Sequence, residues 1–444
     1  MNKQSKPPKD ILVCARWSFA TLAALTFGVT SAFYTSYPAH ARDSATPPAA
    51  ALATWVVMGP SGVAIARVIT KHATCPSITL GTQSQPMRVR AQPSPSNFPV
   101  LVCETIIPPG TLSAVIEGRP LPLPKVNPQR IAVVADTGCR LRPGVAFQAC
   151  NDPQAWPWER IARSAAAWKP DLVIHIGDYL YRQDPCPAGN AGCAGSPWGD
   201  NWDTWHADFF APAATLLRAA PWVMIRGNHE ECNRAGHGWF RFLDPHLPAL
   251  GCRDYTAPYV VPAGAVQLLI FDSSRAKDET APPETVKVFA AQFAALNEAA
   301  TTNAWLITHH PVWGIGWPDP VKERTHLKKL NSTQQAASGN VLAPGVTVVL
   351  ASHLHFFEML SFANGRPPTF IIGNGGTALI PSIKLPLAGM EVAGAPVADG
   401  VAIARFGFMT MELSGKGWIP TVRDVDGKMI TRCTIANHRA TCRP

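Results

Sequence analysis

From about residue 130 onward the chain is patterned by short apolar runs, each closed by a polar residue: IAVVAD, DLVIHIGD, WVMIRGN, VQLLIFD, AWLITHH, VTVVLASH, TFIIGN and FGFMTMEL. Their length and lack of alternation predict strands buried on both faces. Helix-compatible segments lie between several of them, at 158–168, 202–217 and 284–299, so this region predicts an α/β layered sandwich of βαβ units. Upstream, 55–129 is proline-rich and offers only short β-type runs such as TWVVMG, AIARVI and VLVCETIIP. These predict a small N-terminal β-sandwich, with 121–128 as a linker. Downstream, 421–444 predicts a hairpin around Asp426-Gly427. The expected domains are 42–128, 129–420 and 421–444.

The polar residues that close these runs are the candidate chemistry. Asp136 ends IAVVAD, Asp178 ends VIHIGD, Asn228 ends VMIRGN, His309 ends WLITH, and His353 and His355 follow VVLAS. Ligand-binding groups of open α/β sheets gather outside the carboxyl ends of strands, so residues this far apart in sequence can share one cleft. Taken singly, an Asp after a strand is a turn former or helix cap, and a His beside a strand is a satisfied structural residue. Five coincident strand ends carrying oxygen and imidazole donors do not fit that reading. Carboxylate, amide oxygen, phenol and imidazole together suit iron, zinc and manganese. Two cations sharing a carboxylate would clamp phosphoryl oxygens and lower the pKa of a bound water, which is the physical case for ester hydrolysis.

The segments D136-T-G, G177-D-Y-L-Y181, G227-N-H-E230, L306-I-T-H309 and S352-H-L-H355 resemble, in order and spacing, the five blocks of the metallophosphoesterase superfamily in its purple acid phosphatase variant. The resemblance runs from about Arg130 to Leu413, and the β-rich segment before it is similar to that family's N-terminal domain. The wider superfamily places His two residues after the first Asp. Here that position is Gly138, and Tyr181 appears in the G-D-x-x-Y position, the coupled exchange of the purple phosphatases. The resemblance implies that Asp136, Tyr181 and His355 bind one metal, Asn228, His309 and His353 a second, and that Asp178 bridges them. It implies iron(III) in the first site, with a phenolate charge-transfer colour, and a divalent iron, zinc or manganese in the second. Asn228 and His229 would contact substrate, with His229 the catalytic group that assists the leaving oxygen. Gly373 to Gly376 resembles the glycine-bearing loop after the last block and reads as scaffold.

The chain also departs from the family. The first block reads A-D-T-G and the last S-H-L-H where Gly is usual, and the two further histidines of the plant-type enzymes are missing from PVWGIGWPDPVKER. His310 stands beside a ligand and is a candidate substrate contact, against a reading in which Pro311 turns it outward.

Composition narrows the setting. With 444 residues, 47% hydrophobic and 16% charged, the chain can bury a large core and is not a disordered polymer. Residues 1–41 carry Lys3, Lys6, Lys9 and Arg16, an apolar stretch over 17–33 and the small-x-small site Ala39-His40-Ala41. They predict a secretory signal without a twin-arginine pair, so the mature protein starts at Arg42, is secreted or periplasmic, and has no stable membrane association after cleavage. An uncleaved anchor is the rival, and both imply export. Eleven cysteines, less Cys14 in the signal, leave ten that fall into close sequential pairs. An oxidising compartment preserves neighbour pairing, although sequence alone does not fix connectivity; without C-x-x-C, a thiolate metal site is disfavoured. The balance of 39 basic to 30 acidic residues, 35 to 29 after residue 41, gives a mild positive field suited to a small anionic ester. No basic block of the kind a nucleic-acid groove needs is present.

The sequence therefore predicts an exported dinuclear-metal phosphomonoesterase. Two alternatives share the same residues: a phosphodiesterase, and an exported metal-binding protein without activity. A serine-hydrolase elbow, a P-loop and a dinucleotide fingerprint are all missing. Trp198, Trp202, Trp205, Trp313 and Trp317 lie near the site segments, and ordinary loop packing is favoured over a carbohydrate or base platform.

Overall fold

The apolar runs pair into two sheets. A computed structural model describes residues 51–247, 251–316, 328–381, 383, 386–415 and 417–443, so the expected signal segment and Trp317 lie outside the described residues. In the first sheet Arg130–Val134, Leu172–Ile176 and Trp222–Ile225 run parallel, in register through Ile131 with Leu172 and Ile174 with Val223. In the second, Val266–Phe271, Ala304–Thr308, Val346–Ala351 and Thr369–Ile372 are parallel neighbours.

Alternate side chains of a strand point to opposite faces, and each face here has its own apolar partner. Ile131, Val133, Ile174 and Ile176 of the first sheet meet Leu268, Ile270, Ile307 and Leu350 of the second in one continuous core. The opposite face of the first sheet, with Val134, Val173 and Met224, packs on Ile161 and Ala165 of helix Trp158–Ala167. The opposite face of the second, with Leu269, Phe271 and Leu306, packs on Phe289, Phe293 and Leu296 of helix Pro283–Ala299. Four layers result, which is why the strands read as unbroken apolar runs. The third helical expectation, 202–217, divides into Trp202–Trp205, a wider turn His206–Phe210, and Ala214–Leu217. Pro212 lies at the break, where it has no amide hydrogen to continue the ladder.

The N-terminal segment is β-rich but not separate. Ala53–Met58 lies parallel beside Trp222–Ile225, and Ala64–Thr70, Leu101–Ile107 and Arg88–Ala91 extend the same sheet, which reaches eleven strands. The described residues form one compact unit. Two fully buried arginine side chains fix this junction. Arg67 donates to the carbonyls of Phe242 and Asp244, and Arg90 to those of Phe240, Arg241 and Asp244, so they satisfy the open carbonyl end of helix Gly236–Phe242. Glu104 accepts from both guanidiniums. The expected boundary near 128 therefore falls inside one sheet, because a sheet edge left unpaired at Trp222–Ile225 is covered by the N-terminal strands.

The C-terminal strands behave in the same way. Gly407–Ser414 pairs antiparallel with Arg130–Val134, and Gly417–Asp424, Met429–Ala436 and Arg439–Arg443 follow in order. The turn at Asp426-Gly427 has Gly427 at φ +78°, and Cys433 and Cys442 are bridged directly across the last strand pair. Cys75–Cys103, Cys139–Cys150, Cys186–Cys193 and Cys232–Cys252 are also bridged, all between sequence neighbours.

One buried carboxyl in the second sheet has a pH signature. Glu358 on Phe357–Phe362 is fully buried, accepts only the Ile315 amide (3.0 Å) among the described residues, and burial pushes its pKa up to about 8. The unfolded chain ionises near 4.5, so this group's contribution is complete below that pH and is lost as pH rises through about 8. Glu358→Gln is expected to be near neutral at about pH 4 and to gain on the order of 3 to 5 kcal/mol over the parent above about pH 8. Urea unfolding of both proteins at the two pH values checks this; an equal difference at both would sink it.

Candidate dinuclear metal site

Three residues at strand ends hold a backbone conformation that side chains avoid: Asp136 at φ +52°, Asp178 at φ +59° and His353 at φ +73°. Each costs roughly 1–2 kcal/mol and turns the side chain back across the carboxyl ends of the sheets. Glycines make room for the crossing. A Cβ on Gly177, itself at φ +86°, would lie 2.7 Å from His309 Nδ1, and one on Gly227 would collide with Asp178 Oδ1. A Cβ on Gly138 would lie 2.6 Å from the Tyr179 carbonyl and 2.7 Å from the Tyr181 nitrogen. The loop that delivers Tyr181 therefore occupies the space a larger side chain at 138 would need, which is a steric basis for the coupled Gly138 and Tyr181.

The seven sequence-predicted donors come together in two groups. The Tyr181 hydroxyl is 2.6 Å from Asp136 Oδ1, 2.7 Å from Asp178 Oδ2 and 3.0 Å from His355 Nε2. Asn228 Oδ1 is 3.0 Å from His309 Nε2 and 3.1 Å from His353 Nδ1. Asp178 Oδ2 is also 3.3 Å from His309 Nε2, so this carboxylate faces both groups.

Each imidazole is oriented by its other nitrogen. His309 Nδ1 donates to the Ile176 carbonyl (2.8 Å) and His355 Nδ1 to that of Ala378 (3.1 Å), which turns both Nε2 lone pairs toward the cluster. His353 is the reverse: its Nε2 meets Asp278 Oδ2 at 3.0 Å, leaving Nδ1 toward Asn228. Burial opposes ionisation of Asp278, but His353 holds its carboxyl well below the usual range. Asp278 was not legible in the sequence, because it sits in a loop with no strand-end signal. Glu230 and Asp208 were missed too. Glu230 accepts the amides of Asp178, Tyr179, Leu180 and Gly227 at 2.8–3.2 Å and so pins two site loops together. Burial, then Asp178, pushes it up to about 8. Asp208 accepts the amides of Cys139 (3.1 Å) and Tyr181 (2.9 Å), joining the first two blocks. Only the last letter of G-N-H-E hinted at Glu230; nothing marked Asp208.

The remaining candidates surround the donors. His229 donates its backbone amide to Asp178 Oδ1 (2.8 Å) and Nδ1 to the Leu180 carbonyl (3.2 Å), and its ring lies 3.8 Å from that of Tyr181. Burial, then Arg234, holds it well below the ordinary imidazole value, so the neutral ring keeps an unprotonated Nε2. His310 does not turn outward: it is 3% exposed and packs 4.1 Å from His353, with Nδ1 unpartnered among the described residues. Gly375 and Gly376 press on the backbone carbonyls of Ala135 and Thr137, where a Cβ would collide, so this loop braces the first block. Trp202, Trp205 and Trp313 are buried in the core, while Trp198 is half exposed.

The calcineurin-like phosphoesterase domain profile matches residues 129–357, just over half of the chain and all of the donor-bearing blocks. The chain belongs to that family. It is thus a metal-dependent phosphoester hydrolase, and members of this family bind two metal ions. Among solved structures, the purple acid phosphatase PPD1 from yellow lupin (Lupinus luteus) seeds is similar in fold, with a TM-score of 0.54, 13% identity, and coverage of 88% of this chain and 73% of that one. PhoD is similar at a TM-score of 0.51 and 9% identity, over 88% and 92% of the two chains. No curated protein matches in sequence. The donor chemistry of this phosphoesterase fits two cations: two buried carboxylates, one of them facing both groups, with three imidazole lone pairs converging on them.

Proposed function

We propose that this phosphoesterase hydrolyses phosphate monoesters, with Asp136, Tyr181 and His355 holding iron(III), Asn228, His309 and His353 holding a divalent iron, zinc or manganese ion, and Asp178 bridging. The observation that carries the reading is the Tyr181 hydroxyl, set among two carboxylates and an imidazole at 2.6–3.0 Å. A phenol so surrounded is a donor only a high-charge cation would ionise, since burial, then Asp136 and Asp178, pushes its pKa well up. The two ions would supply Lewis acidity and an activated water.

The chain's own residues do the rest. Hydrolysis joins the oxygen of water to phosphorus and breaks the ester P–O bond, and the leaving oxygen takes up a proton. His229 Nε2, once protonated, is the donor for that oxygen, while Asn228 and His310 line the substrate side. The Asp278 carboxylate and the Ile176 and Ala378 carbonyls keep the imidazoles turned inward. We also infer export with a mature start at Arg42. Ten disulfide-bonded cysteines support this, and no described helix is long and apolar enough to cross a membrane.

One preparation tests the reading. Protein recovered from an exported fraction is expected to begin at Arg42, contain iron and a second divalent ion, absorb visible light, and cleave p-nitrophenyl phosphate faster than bis(p-nitrophenyl) phosphate. Two metals without a visible band would replace the iron–tyrosinate site by a colourless one. Preference for the diester would make the enzyme a phosphodiesterase, and retention of Met1 would favour an anchor.

A further inference from the structure

Two arginines that border the donor cluster have no part in the hydrolysis proposed for it. Arg140 lies across the face of Tyr181, its Cζ 4.5 Å from the ring centre and its Nη2 3.3 Å from His355 Nε2. It is 8% exposed, and its buried Nε has no partner among the described residues. Arg234 donates to the Asn228 carbonyl and to Gln183 Oε1, both at 3.0 Å, so it spans the loops that carry Asn228 and Tyr181. Among the described residues neither forms a carboxylate ion pair, whereas Arg67, Arg90, Arg182 and Arg226 all do. Both charges act on His229.

Both positions are built. Cys139, next to Arg140, is bridged to Cys150 and donates its amide to Asp208; Cys232, two residues before Arg234, is bridged to Cys252. A largely buried guanidinium without a carboxylate is costly unless an anion completes it. Its planar fork matches the oxygens of a phosphoryl group. If the carboxylates of the cluster hold the two cations, the guanidiniums have no anionic partner of their own among the described residues.

We propose that Arg140 and Arg234 hold the non-bridging oxygens of the scissile phosphoryl group and select dianionic, terminal phosphomonoesters over diesters. This rests on the phosphoesterase reading of the same site. It also gives the missing pair of histidines after the fourth block a replacement drawn from two other loops.

The test uses the full-length, metal-loaded protein and two variants. Arg140→Met keeps an unbranched chain on the Tyr181 ring without the charge, and Arg234→Gln keeps hydrogen bonding. Metal content, the affinity for inorganic phosphate by titration calorimetry, and kcat/KM on p-nitrophenyl phosphate and bis(p-nitrophenyl) phosphate are measured together. Both metals are expected to remain, phosphate affinity and monoester kcat/KM to fall about 10- to 100-fold, and the diester constant to fall by a clearly smaller factor. Unchanged phosphate affinity in both variants overturns the assignment, as does loss of metal in step with activity, which would make the arginines supports of the ligands. Equal losses on the two esters overturn the discrimination. A parent protein inactive on both esters would instead defeat the reading the proposal rests on, and the phosphate titration would still decide the arginines.

Discussion

Tyr181→Phe is expected to abolish visible absorption and to weaken the first metal site at least on the order of tenfold, while the protein stays folded. The hydroxyl lies within 3.0 Å of Asp136, Asp178 and His355 together, so its removal takes a donor from the middle of that group. The ring itself is held by packing that Phe retains, against His229 at 3.8 Å and beneath Arg140 at 4.5 Å. Tyr179→Phe is the matched control. Its hydroxyl bonds the His175 carbonyl at 3.3 Å and its ring stacks on His175 at 3.8 Å, in the aromatic core rather than among the donors. Metal analysis and absorption spectra of the three proteins decide the matter. A band that survives in the Tyr181 variant, or disappears in the Tyr179 variant, would remove Tyr181 from the first metal.

His229→Ala is expected to lower kcat by about 10² to 10⁴ with both metals retained. Its Nδ1 is committed to the Leu180 carbonyl, so Nε2 is the atom through which it can exchange a proton with a reacting oxygen, and it lies 3.9 Å from Asp178 Oδ2, too far for that carboxylate to hold directly. The backbone amide that steadies Asp178 survives the substitution, which is why metal content should not follow activity. Steady-state kinetics with parallel metal analysis separates the outcomes. Loss of metal together with kcat would make His229 a support of Asp178, and an unchanged kcat would free it of any role in the reaction.

Asp136, Asp178, Asn228, His309, His353 and His355 were legible because parallel α/β sheets present their strand ends to one cleft and each closes or follows an apolar run, whereas Tyr181 was legible only through the family resemblance of G177-D-Y-L-Y181. Layering was legible for the same reason: strands such as Arg130–Val134 and Leu172–Ile176 bury both faces and read as unbroken apolar runs. Helices were legible where an amphipathic face was continuous, as over 283–299, and less so where Pro212 interrupts the ladder. The independence of the N-terminal segment was not. Its short strands look like any small sandwich: Ser77–Leu80, Gln83–Pro86, Ala114–Ile116 and Arg119–Pro120 do form a small sheet of their own, but tertiary pairing at Val57 and Trp222, fixed by Arg67 and Arg90 against the end of helix Gly236–Phe242, makes the other four part of the main sheet.

The supporting groups of the site divide in the same way. Asp136, Asp178, Asn228, His309, His353 and His355 carry a local signature, since a strand end and a turn are neighbours in sequence. Asp208, Asp278, Arg140 and Arg234 carry none. They act through space on backbone amides, on an imidazole or at the rim of the cluster, from loops that sequence cannot position. Sequence determined which chemistry the strand ends could present, because apolar periodicity and turn residues are local properties of the chain. Tertiary structure alone decided which distant charges surround that chemistry, because a carboxylate or guanidinium meets its partner only after the two sheets have packed.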